Sequence, residues 1–230
     1  MKAISFVAVV GLLWSVPVQA QISSSEQERL QKAAEVVTAM RDAPDKGIPD
    51  ELWQKANCVV VLPDVKKAAF GIGGEFGKGV MSCRTANAWS APAFMQMAKG
   101  SFGFQIGGQE ADLVLLVMNK QGIDKMLKDK VTLGADASVS AGPVGRTGAA
   151  ATDARLNAQI LSYSRSKGLF AGIDVSGGVL RPDKDVNAHL YGASVAPYDV
   201  VTGAHTTNPT PVRVFVNALE SNVRATTGNK

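Results

Sequence analysis

Hydrophobic residues recur every three to four positions between residues 25 and 42, a pattern that predicts an amphipathic helix. Ser25 and Glu28 have the spacing of a capping box, and the pattern ends at 42–44, where a proline stands. Basic residues flank the apolar stripe, so two placements are open: the helix packs on its own domain, or it lies in a membrane interface. The stripe consists of Leu30, Ala33, Ala34, Val37 and Met40.

Extended segments follow in the middle of the chain. Apolar runs and alternating patterns that are rich in β-branched and aromatic residues predict strands. Glycine recurs inside these segments, which is typical of bends, bulges or close backbone approach in a strongly curved sheet. The predicted strands are 59–62, 69–76, 80–84, 101–106, 112–118, 131–140, 158–166 and 169–176.

Helical segments lie on both sides of these strands and between them. A final helix is predicted over 211–224, with Thr210 as its N-cap and Pro211 at its first position. Shorter helices are predicted at 48–56, 123–128 and 185–191. No linker, charge block or repeat divides residues 21–230. The chain is therefore predicted to form a single α+β domain, in which a curved, glycine-rich, mostly antiparallel β-sheet is flanked by N- and C-terminal helices.

Residues 1–20 have the three parts of a secretory signal peptide. Lys2 is the only charged residue, an unbroken apolar run covers residues 6–14, and Pro17 precedes small residues at Val18 and Ala20. We expect cleavage after Ala20 and a periplasmic or secreted mature protein. The apolar run is too short for a permanent membrane span. A buried N-terminal helix is the alternative interpretation.

The charge of the predicted mature chain is mildly basic. Without Lys2 the chain has 23 basic and 20 acidic side chains, a net charge of +3. This balance permits attraction to an anionic surface, and it is far from the strongly basic composition of a nucleic-acid-binding domain. We therefore expect no nucleic-acid partner.

The chain contains two cysteines, Cys58 and Cys83, both in the predicted mature part. In an oxidising compartment an even count favours one disulfide bond. Such a bond would close a loop of about 25 residues and stabilise the fold by about 3 kcal/mol. Two buried free thiols are the alternative, because sequence alone does not show whether the two Cβ atoms meet.

Three short segments resemble catalytic or ligand-binding motifs but lack required residues. Segment 71–79 lacks the first glycine and the final Ser or Thr of a Walker phosphate loop. Segment 164–167 has only the Ser-x-x-Lys part of the penicillin-binding signature, and 183–194 lacks the central Gly and the final Glu of a calcium loop. The two histidines, His189 and His205, follow no metal-ligand spacing. We expect no enzymatic activity, no cofactor and no metal site.

Several ordered blocks resemble the SYLF domain, a lipid-binding module of eukaryotic endocytic proteins that is also described as an actin-regulator domain. The match is specific because the blocks occur in the family's order over roughly residues 35–195. The blocks are IPDEL at 48–52, VVVLPDVKKA at 59–68, GIGGEFGKGV at 71–80, WSAP at 89–92, GSFGFQIG at 100–107, DLVL at 112–115, TLGADASV at 132–139, GPVGR at 142–146 and YSRSKGLFAG at 163–172.

The resemblance implies a non-enzymatic protein that binds phospholipids, with anionic lipids as the expected partners of an exported bacterial member. Unlike the eukaryotic pattern, this chain has a predicted signal peptide and a cysteine pair and shows no SH3 or FYVE segment, so we do not expect actin regulation. Basic residues in the matched blocks are the candidate lipid contacts, although each could equally be an ordinary solvated charge. The candidates are Lys66, Lys67, Lys78, Arg84, Arg146, Arg165 and Lys167.

Two other functional classes are open. One is a structural or protein-interaction module of the cell envelope, whose glycine-rich sheet docks a protein partner. The other is an unrecognised hydrolase, which would require a base beside Ser164 or another hydroxyl group.

Overall fold

The computed structural model describes residues 22–42, 47–70, 72–86, 88–102, 107–127, 129–145, 158–205 and 209–227. The predicted signal peptide and Arg146 lie outside the described residues. The described residues form six α-helices and nine β-strands. The helices are α1 (Ser24–Arg41), α2 (Asp50–Lys55), α3 (Lys120–Met126), α4 (Lys184–Tyr191), α5 (Pro197–Thr202) and α6 (Arg213–Thr227). The strands are β1 (Cys58–Phe70), β2 (Ile72–Cys83), β3 (Ala93–Phe102), β4 (Gly107–Val117), β5 (Val131–Thr132), β6 (Val139–Ala141), β7 (Ile160–Ser166), β8 (Leu169–Gly172) and β9 (Val179–Pro182).

All nine strands belong to one curled sheet in the order β5-β9-β3-β2-β1-β4-β7-β6, and β8 pairs with β7. Every pairing between these strands is antiparallel except that of β6 with β7. The predicted fold class is therefore confirmed: α+β, with a curved, mostly antiparallel sheet between N- and C-terminal helices.

The sheet is buried on both faces at one end. Val59, Val61 and Phe94 point to the face that packs against α1 and α6, which we call the helix face. Val60 and Met95 point to the opposite side, the inner face, which is covered by α3, α5 and the segment around β5. Alternate residues of the same strands thus enter two separate hydrophobic cores, as the two-residue period of a strand requires.

Helix α1 packs on its own domain, which decides between the two placements left open by the sequence. Leu30 and Val37 are fully buried in the helix-face core, and α1 contacts α6 as well as β1 and β2. The capping box was predicted two residues too late: the N-cap is Ser23, whose hydroxyl accepts from the backbone N–H of Glu26. Among the described residues, no helix has both the length and the apolarity needed to span a membrane.

The strand prediction was wrong at 69–76, where it placed one continuous strand. The structure instead ends β1 at Phe70 and begins β2 at Ile72, with Phe70 and Ile72 paired across the hairpin. Apolar residues at 69, 70 and 72 gave the sequence pattern no break between the two strands. The 131–140 segment is likewise divided into β5 and β6, and β9 and α5 were not predicted.

Strand β1 continues through Pro63, where the prediction stopped it, because a bulge accommodates the proline. The register of β1 shifts between Val61 and Lys66, and Asp64 adopts a left-handed φ of 49° there. The Asp112 carboxylate accepts from the backbone N–H of Asp64 at 3.1 Å, which fixes the bulge from the neighbouring strand.

The predicted disulfide between Cys58 and Cys83 is present. The two residues are directly paired on β1 and β2, and both are buried in the inner-face core. The bond thus joins the two central strands at the end of the sheet that is covered on both faces.

Candidate functional site

Four long strands, β1 to β4, extend beyond the helices that cover the sheet. On the helix face, paired residues Val80 and Phe94 are fully buried, whereas four residues further along β2 and β3 the paired Phe76 and Ala98 are exposed. Phe76 has 49% of its surface exposed to solvent, an unusual position for a phenylalanine in a strand. We call this uncovered part of the sheet the open end.

The register arranges the helix face of the open end in rows. One row holds Lys66, Phe76, Ala98 and Val179, which are paired in turn across β1, β2, β3 and β9. The row nearer the covered end holds Lys78, Gln96 and Arg181. Cations thus flank an exposed aromatic ring on one surface.

Further out, the next row consists of small residues. Ala68, Gly74, Gly100 and Gly108 are paired across the four long strands. A Cβ atom added at Gly100 would meet nothing within 4 Å, so no other part of the described chain covers the row there. The backbone is accessible at this position, which lets another surface approach the sheet closely.

A groove of about 690 Å³ runs beside Phe76 on the helix face. Its floor is formed by strand residues, and its far wall by the segments before β5 and at the start of α4. Three cations and two carboxylates line the groove. The residues that matter for its chemistry are Phe76, Ala98, Lys130, Val179, Arg181 and Lys184.

Two of the groove's cations have no carboxylate partner within ion-pair distance in the described part of the chain: Lys130 and Arg181, both exposed. Lys184 instead pairs with Asp129 at 2.7 Å, and this contact holds the pKa of Asp129 below its usual range. The groove therefore presents two cations that are available to an external anion.

One end of the groove rests on a charged cluster that joins three elements. Asp183, which is 5% exposed, pairs with Lys78 of β2 at 3.3 Å and is the N-cap residue of α4. Arg29 of α1 interacts electrostatically with the same carboxylate, and its guanidinium lies 5.7 Å from the centre of the Phe94 ring. Burial lowers the pKa of Arg29. This cluster anchors the start of α4 to the sheet.

Four of the seven predicted lipid contacts form ion pairs within the protein. Lys66 lies 3.8 Å from Glu110, an exposed pair, while Arg165 and Asp112 form a tighter and less exposed pair at 3.0 Å. Lys78 pairs with Asp183, as described above, and Lys67 pairs with Glu75 at 3.0 Å. Lys66 and Lys78 lie beside the groove, whereas Lys67 points to the inner face.

The Arg84 side chain makes its contacts within the protein, away from the groove. Its guanidinium donates to the backbone carbonyls of Ala56 and Trp53 at 3.1 Å and stacks 4.4 Å from the centre of the Trp89 ring. Burial lowers its pKa.

Lys167 is exposed at the β7–β8 turn, close to Leu169, which is 59% exposed. Of the six candidates that the structure describes, only Lys66 and Lys78 lie beside the groove.

Lys130, Arg181 and Phe76 were not among the predicted site residues. Arg181 lies on β9, a strand that the pattern did not predict, and Lys130 precedes β5 with no distinctive motif. A sequence signal existed for Phe76 alone, since an aromatic residue surrounded by glycine and charge in 73–79 is an unusual component of a buried strand.

The groove offers cationic and aromatic side chains, which are groups that can bind an anionic or amphipathic ligand. Among the described residues, no group of three or more His, Cys, Asp or Glu side chains could hold a metal ion. Ser164 lines a different pocket, on the inner face, together with aliphatic side chains and both basic and acidic residues. The fold and the groove therefore define a curved-sheet α+β domain with an exposed aromatic and cationic surface at one end.

Comparison with known proteins identifies the family. The family model Ysc84, described as Las17-binding protein actin regulator, matches residues 98–222, which is more than half of the chain. The chain belongs to this family, and the SYLF resemblance is confirmed. The description names a binding and regulatory role, not a reaction.

Curated relatives carry the same domain within longer proteins. SH3 domain-containing YSC84-like protein 1 of Rattus norvegicus is 32% identical over 189 residues, which cover 79% of this chain and 55% of the relative. The protein of that name from Homo sapiens is 30% identical over 207 residues, covering 87% of this chain and 60% of the relative. LAS seventeen-binding protein 3 of Saccharomyces cerevisiae is 32% identical over 194 residues, covering 81% and 42%. The chain thus spans 42% to 60% of the length of these relatives.

Proposed function

We propose that this protein is an exported, non-enzymatic phospholipid-binding protein that contacts anionic lipid headgroups through the groove on the helix face. The observation that carries the proposal is Phe76, an exposed aromatic ring in a row of side chains flanked by cations. A phenylalanine side chain can be buried at the boundary between the headgroups and the acyl chains of a bilayer, and each basic side chain near an anionic surface contributes about 1 kcal/mol.

Within the groove, Arg181 and Lys130 are the residues that we expect to contact lipid phosphate. Both are exposed, and neither has a carboxylate partner within ion-pair distance in the described part of the chain. A guanidinium can bind phosphate through two parallel hydrogen bonds, so Arg181 is the stronger candidate. Lys66 and Lys78 are nearby but already paired, so we assign them a smaller contribution.

Co-sedimentation with vesicles tests this assignment. We expect the protein to bind vesicles of mixed phosphatidylglycerol and phosphatidylcholine at low salt and to dissociate from them as salt is raised. It should not bind vesicles of pure phosphatidylcholine. Arg181→Glu should weaken binding by about 10-fold or more, since it replaces an attractive charge by a repulsive one. Phe76→Ser should weaken binding at every salt concentration, because its contribution is apolar.

Lys167→Glu is the matched control for Arg181→Glu. Both residues are exposed, but β7 is separated from β9 by four strands in the sheet. We expect Lys167→Glu to retain most of the vesicle affinity. Equal losses of affinity in the two variants would show that net charge alone matters and would contradict the assignment of the groove as the lipid site. Absence of binding to anionic vesicles at low salt would refute the lipid function.

Export is a separate part of the proposal and rests on residues 1–20. N-terminal sequencing of the protein recovered from outside the cytoplasm should begin at Gln21, the residue after the predicted cleavage site. A product that retains Met1 and remains in the cytoplasm would contradict it.

The second candidate function is a protein-interaction module of the cell envelope. The family description and the name of the Saccharomyces cerevisiae relative both specify binding to a protein. The row of small residues at the open end also fits close contact with another backbone. A pull-down from envelope extract that recovers one protein through this surface, while vesicles recover nothing, would favour this function. Gly100→Arg, which fills the row, should abolish that recovery.

A further inference from the structure

The inner face of the open end contains a second pocket, on the opposite side of the sheet from the groove. Its volume is about 330 Å³, which is at the lower end of the range for small-molecule sites. The floor is aliphatic, with side chains from β1, β3, β4 and the segment that follows β8. The floor residues are Val65, Met97, Leu113, Ile173 and Val175.

Charges of alternating sign line the rim of this inner-face pocket. Lys67, Glu75 and Lys99 are paired in turn across β1, β2 and β3, so their side chains form one row on the inner face. Asp174 is the next charged residue along this row, because Lys99 Nζ donates to its backbone carbonyl at 3.3 Å. Two cations and two carboxylates thus surround the apolar floor in alternation, with no net charge among the four. A third carboxylate that lines the pocket, that of Asp112, pairs with Arg165 at 3.0 Å, so it adds no unpaired charge.

The four rim charges differ in how they are satisfied. Lys67 and Glu75 form an ion pair at 3.0 Å, and the Glu75 side chain is only 17% exposed. Lys99 has no carboxylate within ion-pair distance in the described part of the chain, and its Nζ contacts only a backbone oxygen. The Asp174 carboxylate bonds with the backbone N–H and the hydroxyl of Ser176, at 2.8 and 2.6 Å. These bonds lower the pKa of Asp174, so this carboxylate remains ionised at neutral pH. One cation and one anion are therefore available, side by side.

We propose that the inner-face pocket binds a zwitterionic phospholipid with a single acyl chain, with the headgroup phosphate on Lys99 and its ammonium group near Asp174. The acyl chain then lies on the aliphatic floor between β1, β3 and β4. This site and its ligand are distinct from the groove on the helix face and do not depend on it.

The neutral rim distinguishes this ligand from an anionic one. An anionic headgroup would gain the attraction of Lys99 but would also meet the carboxylates of Glu75 and Asp174, which flank it. A like charge in such a position reduces affinity. A zwitterion can place its negative group next to Lys99 and its positive group next to Asp174. The apolar floor in turn requires an attached chain, because a free headgroup would leave it exposed to water.

Isothermal titration with lysophospholipids below their micelle concentration tests the proposal. The probes are lauroyl lysophosphatidylethanolamine, which is zwitterionic, lauroyl lysophosphatidylglycerol, which is anionic, and free phosphoethanolamine, which lacks the chain. We expect saturable binding of the ethanolamine lipid, at least 10-fold weaker binding of the glycerol lipid, and no measurable binding of the free headgroup.

Two variants alter the rim in opposite senses. Lys99→Met removes the available cation while keeping an apolar stem, and we expect it to weaken binding of the ethanolamine lipid at least 10-fold. Glu75→Gln removes a negative charge and frees Lys67, so it should move the preference toward the anionic lipid. Lys55→Met is the matched control, since this lysine is exposed in the last turn of α2, which packs at the covered end of the sheet, away from both the groove and the pocket. It should leave both affinities unchanged.

Equal or tighter binding of the anionic lipid to the unaltered protein would overturn the proposal, as would the absence of saturable binding or an unchanged affinity in Lys99→Met. Thermal unfolding of each variant verifies the fold, and Lys99→Met remains decisive if Glu75→Gln is unstable. Vesicle co-sedimentation of the same variants separates the two sites. Lys99→Met should retain vesicle binding, and Arg181→Glu should retain lysophospholipid binding.

Discussion

Phe94 and Phe76 lie on the same face of neighbouring strands, yet one is fully buried and the other is 49% exposed. Phe94 lies at the covered end of the sheet, among residues of α1, α2 and α6, while Phe76 lies at the open end, beyond those helices. The same strands therefore have different roles at their two ends. The covered end supplies stability through its two cores, and the open end presents side chains to other molecules.

The strongest test of this comparison replaces each phenylalanine. Phe94→Ala should lower the free energy of unfolding by about 4 kcal/mol, because it leaves a cavity in a core with no exposed surface. Phe76→Ser should change it by less than about 0.5 kcal/mol, as is usual for surface positions. Urea unfolding monitored by circular dichroism measures both values. Similar losses for the two variants would show that Phe76 is part of the core.

The disulfide offers a second test within the covered end. The double variant Cys58→Ala/Cys83→Ala should lose about 3 kcal/mol of stability, since the bond closes a loop between residues 25 positions apart. Because the bond lies far along β1 and β2 from Phe76, vesicle binding at a temperature where the variant is folded should not change. A variant that folds normally but no longer binds vesicles would contradict the separation of the two ends.

Two glycines allow a constrained part of the sheet to be compared with an uncovered part at the level of the backbone. A Cβ atom at Gly79 would overlap the Val61 carbonyl at the β1 bulge, whereas one at Gly100 would meet nothing. We expect Gly79→Ala to lower the free energy of unfolding by about 2 kcal/mol, and Gly100→Ala to change it by less than about 0.5 kcal/mol. Chemical denaturation distinguishes them, and equal stabilities would mean that the bulge is not a fixed feature.

The smallest expected difference concerns two tyrosines at the covered end. Tyr191 donates its hydroxyl to the Pro92 carbonyl at 2.7 Å, while the Tyr163 hydroxyl is buried without a hydrogen-bond partner in the described part of the chain. Tyr191→Phe should therefore cost about 1 kcal/mol, and Tyr163→Phe should be neutral or slightly stabilising. Equal costs would indicate that Tyr163 bonds to an ordered water.

We expect the same tyrosines to make the free energy of unfolding fall at alkaline pH. Burial raises the pKa of Tyr163 and of Tyr191 above that of tyrosine in the unfolded chain. Their neutral forms therefore favour the folded state fully below about pH 10, and this contribution is lost as the pH rises further. Tyr163→Phe should flatten the fall in unfolding free energy above pH 10. Urea unfolding at several alkaline pH values would detect this change.

Much of the fold was predictable because local periodicity carries it. The stripe from Leu30 to Met40 predicted α1 and its buried face, and strand periods predicted a curved α+β sheet. The division between β1 and β2 was missed because the strand residues next to it, Phe70 and Ile72, are both apolar. Strand β9 was missed because four residues are too few to show a periodic pattern. The candidate site was predictable only in part, since Lys66 and Lys78 were named but Phe76, Lys130 and Arg181 were not.

The sequence by itself indicated the family and supplied two cysteines that could pair and the basic residues available for a binding surface. That the two cysteines do pair is a finding of the structure. The tertiary structure alone decided which face of the sheet each basic residue occupies. With regular alternation from Leu62 on the inner face, Lys66 would point inward and Lys67 outward. The bulge at Asp64 reverses this, because Val65 returns to the inner core and the next residue points the other way. The bulge depends on Asp112 and Lys32, residues distant in the sequence that meet Asp64 only after the strands and α1 have assembled.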